Sequence, residues 1–277
     1  MTVSQACGFV GMSRQAYYQQ RTRDQHAQCL EQQVLAEVAS IRLQQPRLGT
    51  RKLHHLLQGS QHMHGIRLGR DRLFAILRQA RCLVPARRAY HKTTHSHHRF
   101  HKHPNLLNGA LKITPERADA VWVADITYLP THTGTGYLSV VTDAYSRKIV
   151  GYHVHASLHA DEVSVAYRQA LKQRRGEQPL IHHSDRGIQY CSALYQDIHQ
   201  RHRVQCSMTD GYDCYQNALA ERVNGILKGE FLLHTPANLH EARQMVKESV
   251  QIYNQYRPHL ALKYKTPDEV HRASIQS

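Results

Sequence analysis

VWVADITYL, residues 121–129, decides the fold. Its valines, tryptophan, isoleucine, tyrosine and leucine form a short apolar run rich in β-forming residues, which predicts a buried strand. One charge, Asp125, interrupts it, and a carboxylate among apolar neighbours is costly unless it is paired or holds a metal. Downstream, GYLSVVTDAYSRKIVGYHV (136–154) reads as a hairpin with its turn at Ala144-Tyr145-Ser146-Arg147. A helix is expected over 160–174, with Val163, Ala166, Tyr167, Ala170 and Leu171 on one face. PLIHHSD (179–185) follows as a strand ending at Asp185, and VQCSM (204–208) as another. Helices near 192–202, 217–233 and 239–255 complete the region. Strands in a meander, then alternating helices and strands, predict an α/β domain around a mixed sheet.

Upstream the pattern is helical. Val3–Cys7, a turn at Gly11 and a helix capped by Ser13 and running Arg14-Gln15-Ala16-Tyr17-Tyr18 match a helix-turn-helix, with Arg14 and Gln15 placed to meet base edges. Residues 31–80 hold a helix ended by Pro46, a second around Thr50–Leu57 and a third around Gly69–Arg81. The third sets Leu73, Ile76 and Leu77 opposite Arg70, Arg72 and Arg78, which repeats the plan. Between Pro85 and Pro104 periodicity gives way to Arg87, Arg88, Lys92, Arg99 and many histidines. No acidic or thiolate partner is interleaved there, so the stretch is expected to track phosphates as a linker rather than hold a metal. Four segments result: 1–28, a helix-turn-helix; 29–84, a second helical module; 85–112, the basic linker; and 113–277, the α/β domain.

Charge follows the same division. Residues 1–105 carry 17 lysines and arginines against 4 acids, and residues 106–277 carry 19 against 17. A basic front before a near-neutral back suggests that the front grips a polyanion, nucleic acid before all. No run of eighteen apolar residues is present and the start lacks the charged and apolar regions of a signal peptide, so a soluble cytoplasmic protein is expected. Six cysteines without a Cys-x-x-Cys pair read as reduced thiols.

Three acids suit metal-assisted phosphoryl transfer, in which two divalent ions clamp the attacking and leaving oxygens. Asp125 lies within a strand and Asp185 at a strand's carboxyl edge, where α/β sheets hold ligands. Glu221 lies in a helix, with Asn217, Asn224 and Lys228 sharing its face. Asp143, which suits a turn cap, and Asp210 and Asp213 in the loop before that helix are competitors. Chemistry alone does not choose among them.

The ordered set does. Asp125 in a strand, His183-Ser184-Asp185-Arg186-Gly187-Ile188-Gln189-Tyr190, then Asn217-Ala218-Leu219-Ala220-Glu221 resembles the Asp-Asp-Glu signature of transposases and retroviral integrases. Thirty-five residues separate Asp185 from Glu221, and Lys228 falls seven after it, both as in that family. Tyr253-Asn254, Arg257-Pro258-His259, Leu262 and Thr266-Pro267 look like the tail of the same core. The whole is similar to the OrfB-type catalytic protein of bacterial insertion sequences of the "IS three" family. That resemblance implies a ribonuclease H-like core with a five-stranded mixed sheet. It implies two magnesium or manganese ions on Asp125, Asp185 and Glu221. It further implies cleavage and joining of DNA at terminal inverted repeats, with Lys228, Asn224 and Arg222 near DNA together with Arg14, Gln15, Arg70, Arg72, Arg87 and Arg88. A homo-oligomer on DNA, an upstream-frame OrfA-type partner and residence at the bacterial nucleoid complete the implied picture. Arg222 departs from the Ser or Asn common after the glutamate.

Overall fold

The computed structural model describes residues 2–60, 68–85, 103–108, 112–210 and 217–276. Arg87, Arg88, Asp213 and most of the histidine-rich stretch lie outside them. The chain divides into two compact units, Met1–Pro85 and Ala86–Ser277.

In the first unit α1 (Val3–Val10) ends on Gly11 at φ 71°, and α2 (Arg14–Gln44) starts on Ser13, whose hydroxyl accepts the Ala16 amide at 3.1 Å. Here the structure differs from expectation. The short helix after Ser13 and the helix before Pro46 are one continuous helix of 31 residues. No glycine or proline interrupts it, and its glutamines and arginines are good helix formers even where no apolar stripe exists. The expected boundary at residue 28 therefore falls inside a helix. The C-terminal half of α2 packs Val34 and Val38 onto α3 (Thr50–Gly59) and α4 (Arg70–Gln79) through Leu53, Leu57, Leu73, Ile76 and Leu77. Arg42 ties the unit together by donating to the carbonyls of Cys82 at 2.7 Å and Leu48 at 3.5 Å.

The second unit is built on a five-stranded sheet. Its strands are β1 (Val121–Thr131), β2 (Gly134–Asp143), β3 (Ile149–His155), β4 (Ile181–Ser184) and β5 (Gln205–Met208), in the order β3-β2-β1-β4-β5. The β1–β2 and β2–β3 pairs are antiparallel, while β1–β4 and β4–β5 are parallel, as a mixed sheet requires. On one face Trp122, Ala124, Val141 and Val150 meet α5 (Ala160–Gln173) and α6 (Ala193–Arg201). A Cβ at Gly151 would collide with the Ala166 carbonyl, so glycine lets α5 lie flat against β3. The other face carries α7 (Ala218–Ile226), a π-helical turn (Leu227–Phe231) and α8 (Leu239–Gln255), packed on Leu138, Val140 and Val154.

Three further differences concern local detail. The helix expected over 217–233 is α7 followed by the π-helical turn. The end of the expected linker belongs to this unit: Leu106 donates its amide to Ser207 Oγ at 3.0 Å, and with Leu107 it packs beside Val121. A further helix, α9 (Pro267–Gln276), starts on a box in which the Glu269 carboxylate accepts the Thr266 amide and the Thr266 hydroxyl accepts the Glu269 amide. Among the described residues the cysteines are free, and no helix is long and apolar enough to cross a membrane.

Candidate active site

Alternation along β1 places Asp125. Trp122 and Ala124 point into the α5 face, so Val121, Val123 and Asp125 point to the opposite one, where Ala220 of α7 joins the first two. Two asparagines tie α7 to the strand there. Asn217 donates to the Ala124 carbonyl at 3.0 Å, and Asn224 donates to Asp125 Oδ2 at 2.8 Å. Expected at a DNA surface, Asn224 is only 4% exposed and serves instead to fix the Asp125 carboxylate.

β4 brings the second acid alongside. Val121, Trp122 and Val123 pair with Ile181, His182 and His183, and the same register continued by two residues sets Asp185 at the level of Asp125. Asp185 closes its own turn by accepting the Gly187 amide at 3.0 Å on Oδ1. A Cβ at Gly187 would stand 3.0 Å from that oxygen and 3.2 Å from Gln189 Oε1, so a side chain there would press on the Asp185 carboxylate. Tyr190, fully buried below, has its hydroxyl pushed far up by burial, by Tyr195 and by the charges of Asp185 and Asp125. Its electrostatic coupling to both carboxylates had no signal in the sequence beyond its proximity to Asp185.

Glu221 is on the first turn of α7, exposed, and its charge reaches Asp125. Three influences push the Asp125 carboxyl up to about 7: burial first, then the charge of Asp185, and last that of Glu221, against hydrogen bonds from Asn224 and the Ile126 amide. The three acids are thus one electrostatic group. Among the described residues no three His, Cys, Asp or Glu side chains are drawn together tightly enough to hold a metal ion. Nevertheless the donors fit one chemically. They are hard oxygens on rigid supports, and the mutual repulsion written into Asp125 is what a divalent cation relieves.

Lys228 stands in the π-helical turn, half-buried; burial lowers its ammonium's affinity for a proton while the charge of Asp125 raises it. Arg222 turns elsewhere, its charge felt at Arg147 and Tyr253. Asp143 is a structural hub: fully buried, it accepts the Ser146 amide at 2.7 Å, the Ser146 hydroxyl at 2.5 Å and the Asp119 amide at 2.9 Å. Burial pushes its carboxyl up despite those bonds. In the first unit Arg14, Gln15, Arg70 and Arg72 are all exposed, at the starts of α2 and α4, and Arg70 is paired with Asp71 at 2.9 Å.

A five-stranded mixed sheet with acids on β1, after β4 and on the helix behind defines the class of polynucleotidyl transferases with a ribonuclease H-like core. Two integrase core domain families match the chain, over residues 115–214 and 202–267. An uncharacterized 31 kDa protein of insertion element IS600 from Shigella sonnei is 35% identical over 92% of this chain and 93% of its own length. The transposase for insertion sequence element IS904 of Lactococcus lactis is 34% identical over 60% of this chain and 66% of its own. The simian T-cell lymphotropic virus intasome, solved by cryo-electron microscopy with the regulatory subunit B56 gamma of PP2A, shares the fold. It is 18% identical over 81% of this chain and 70% of that one, with a TM-score of 0.50. The chain belongs to the DDE transposase and integrase superfamily, among the proteins of bacterial insertion elements.

Proposed function

We propose that this protein cuts and joins DNA strands at the ends of an insertion element, with Asp125, Asp185 and Glu221 holding two magnesium or manganese ions. The observation that supports the reading is geometric: the β1–β4 register sets Asp185 level with Asp125, and α7, tied to β1 through Asn217 and Asn224, carries Glu221 beside them. Bound divalent ions supply charge stabilisation to the attacking and leaving oxygens of a phosphodiester. The protein's own share is positional. Asn224 fixes the Asp125 rotamer and the Gly187 amide fixes that of Asp185, so both carboxylates are set before DNA arrives. Lys228 supplies a cation beside Asp125 for a DNA phosphate. In the reaction water displaces a 3′ oxygen from phosphorus, and the freed 3′-hydroxyl then displaces another, so no side chain forms a covalent bond.

The helical unit grips the terminal repeats, with Arg14 and Gln15 at the start of α2, Arg70 and Arg72 at that of α4, and Arg87 and Arg88 following. Joining two ends requires at least two copies on DNA. An upstream-frame OrfA-type protein is the expected accessory partner, and the bacterial nucleoid the expected place of action. The test is cleavage and joining of a labelled duplex carrying the element's terminal repeat, in magnesium, by wild type and Glu221→Ala. Joined product from the wild type alone supports the assignment. Equal product from both removes Glu221 from the site, and DNA binding without product from either, even with the upstream protein added, marks a regulator.

A further inference from the structure

Tyr253, Asn254, Arg257 and His259 have no part in the chemistry above, yet they are among the most constrained residues of the unit. Asn254 donates to the Ile149 carbonyl and accepts the Ile149 amide, both at 2.9 Å, and Tyr253 donates to the Arg147 carbonyl at 3.0 Å. The end of α8 is thereby anchored to the start of β3. From that anchor Arg257, its side chain 2% exposed, reaches across to Glu230 with both arms of its fork, Nε at 2.8 Å and Nη2 at 2.7 Å. His259 Nε2 lies 3.1 Å from Nη1, and the Tyr253 ring lies 5.8 Å from the guanidinium carbon.

Glu230 belongs to the π-helical turn, whose wide backbone bond runs from the Leu232 amide to the Leu227 carbonyl at 2.8 Å. Such turns are rare because α-helical bonding competes with them, and they persist where tertiary contacts hold them, often at functional sites. Lys228 sits in the same turn, two residues before Glu230. We propose that the Arg257–Glu230 pair is a positioning device that holds this turn in its π form and so aims Lys228 at the DNA phosphate beside Asp125. Neither member touches DNA. The proposal rests on the carboxylate reading given above and adds the path by which the C-terminal tail serves that site.

A double-mutant cycle in the full chain tests it, read as the single-turnover rate of strand cleavage in magnesium. Arg257→Lys keeps the charge and loses the fork, while Glu230→Gln keeps the shape and loses the charge. Each is expected to slow cleavage by on the order of 10-fold, as misplacement of a phosphate-binding cation does. On a Lys228→Ala background each should cost less than about 2-fold, because the residue they act through is gone. The loss of thermal stability, followed by Trp122 fluorescence, should be equal on the two backgrounds. A full 10-fold further loss on the Lys228→Ala background refutes the proposal and leaves a structural ion pair. If Asp125→Asn is inactive but Lys228→Ala cleaves normally, this inference fails alone; if Asp125→Asn cleaves normally, the carboxylate reading fails and takes it along.

Discussion

Replacing Asp125 with asparagine preserves the outline of the side chain and its bond from Asn224 while removing its charge. In the metal-free protein that charge is a burden. The carboxyl's ordinary value of 3.8 moves to about 7 in the fold, through burial and the nearby charges of Asp185 and Glu221. A group that holds its proton more tightly when folded costs nothing below its unfolded value, and its full cost is present above its folded one. Each tenfold in proton affinity is worth 1.36 kcal/mol, so the cost above about pH 7 is about 4 kcal/mol, as an upper figure. Asp125→Asn should therefore stabilise the second unit by about 2–4 kcal/mol at pH 8, with the gain shrinking to nothing near pH 4. The chain's one tryptophan, Trp122, lies in the core of that unit, so its fluorescence during urea unfolding in chelator isolates the relevant transition. Magnesium at about 100 times its dissociation constant should return about 2.7 kcal/mol to the wild type and nothing comparable to the variant. A gain that is the same at pH 4 and pH 8 would refute the electrostatic reasoning, whatever its size.

Gly187→Ala places a Cβ 3.0 Å from Asp185 Oδ1, and cleavage should fall on the order of 10- to 100-fold with DNA affinity unchanged, as a filter-binding assay alongside the rate would show. DNA affinity should fall with salt at about 0.9 in log K per neutralised phosphate, and Arg14→Ala and Arg72→Ala should each flatten that slope by about one contact; a flat salt profile for the wild type rules out the electrostatic grip. His199 is buried against Tyr167 and held neutral, its folded value near 4 because burial and the charge of His103 both oppose protonation. Its contribution to stability is present above its ordinary 6.5 and is lost as pH falls toward 4. His199→Phe should make urea unfolding less sensitive to pH in that window, at a pH-independent cost of about 1–2 kcal/mol from the orphaned Tyr167 hydroxyl.

The sheet was legible because its strands are β-branched runs bounded by turn residues, and the Tyr145-Ser146 turn carries its own cap in Asp143. Asp125 was legible as an anomaly within such a run. Choosing Asp185 and Glu221 over Asp143 needed the ordered motif, since solitary acids at strand ends look alike. The continuity of α2 was hidden because residues 18–29 bury almost nothing; propensity and a cap sustain the helix there, and apolar periodicity cannot report it. The π-helical turn was hidden for the opposite reason. An ion pair spanning 27 residues, Glu230 to Arg257, accompanies it, and local pattern contains no trace of that. Thr266, Pro267 and Glu269 carry a helix-start signature that the motif reading passed over, and assigning Leu106 and Leu107 to the linker hid their return to the core.

If both ends of α2 grip DNA as proposed, its polar first half would act as a ruler. From Arg14 to Leu30, where packing on α3 and α4 begins, the helix rises 1.5 Å per residue, or about 24 Å. A rod of that length holds the α1–Gly11–Ser13 tip well clear of the cluster that carries Arg70 and Arg72. When both ends of the rod lie on DNA, the bases each one meets cannot be neighbours, and the interval between them is measured by a helix that does not stretch. A terminal repeat read in this way would have two words and a spacer of fixed length. One inserted base pair would turn the second word by about a tenth of a helical turn, whereas ten would restore its bearing but exceed the reach of the arm.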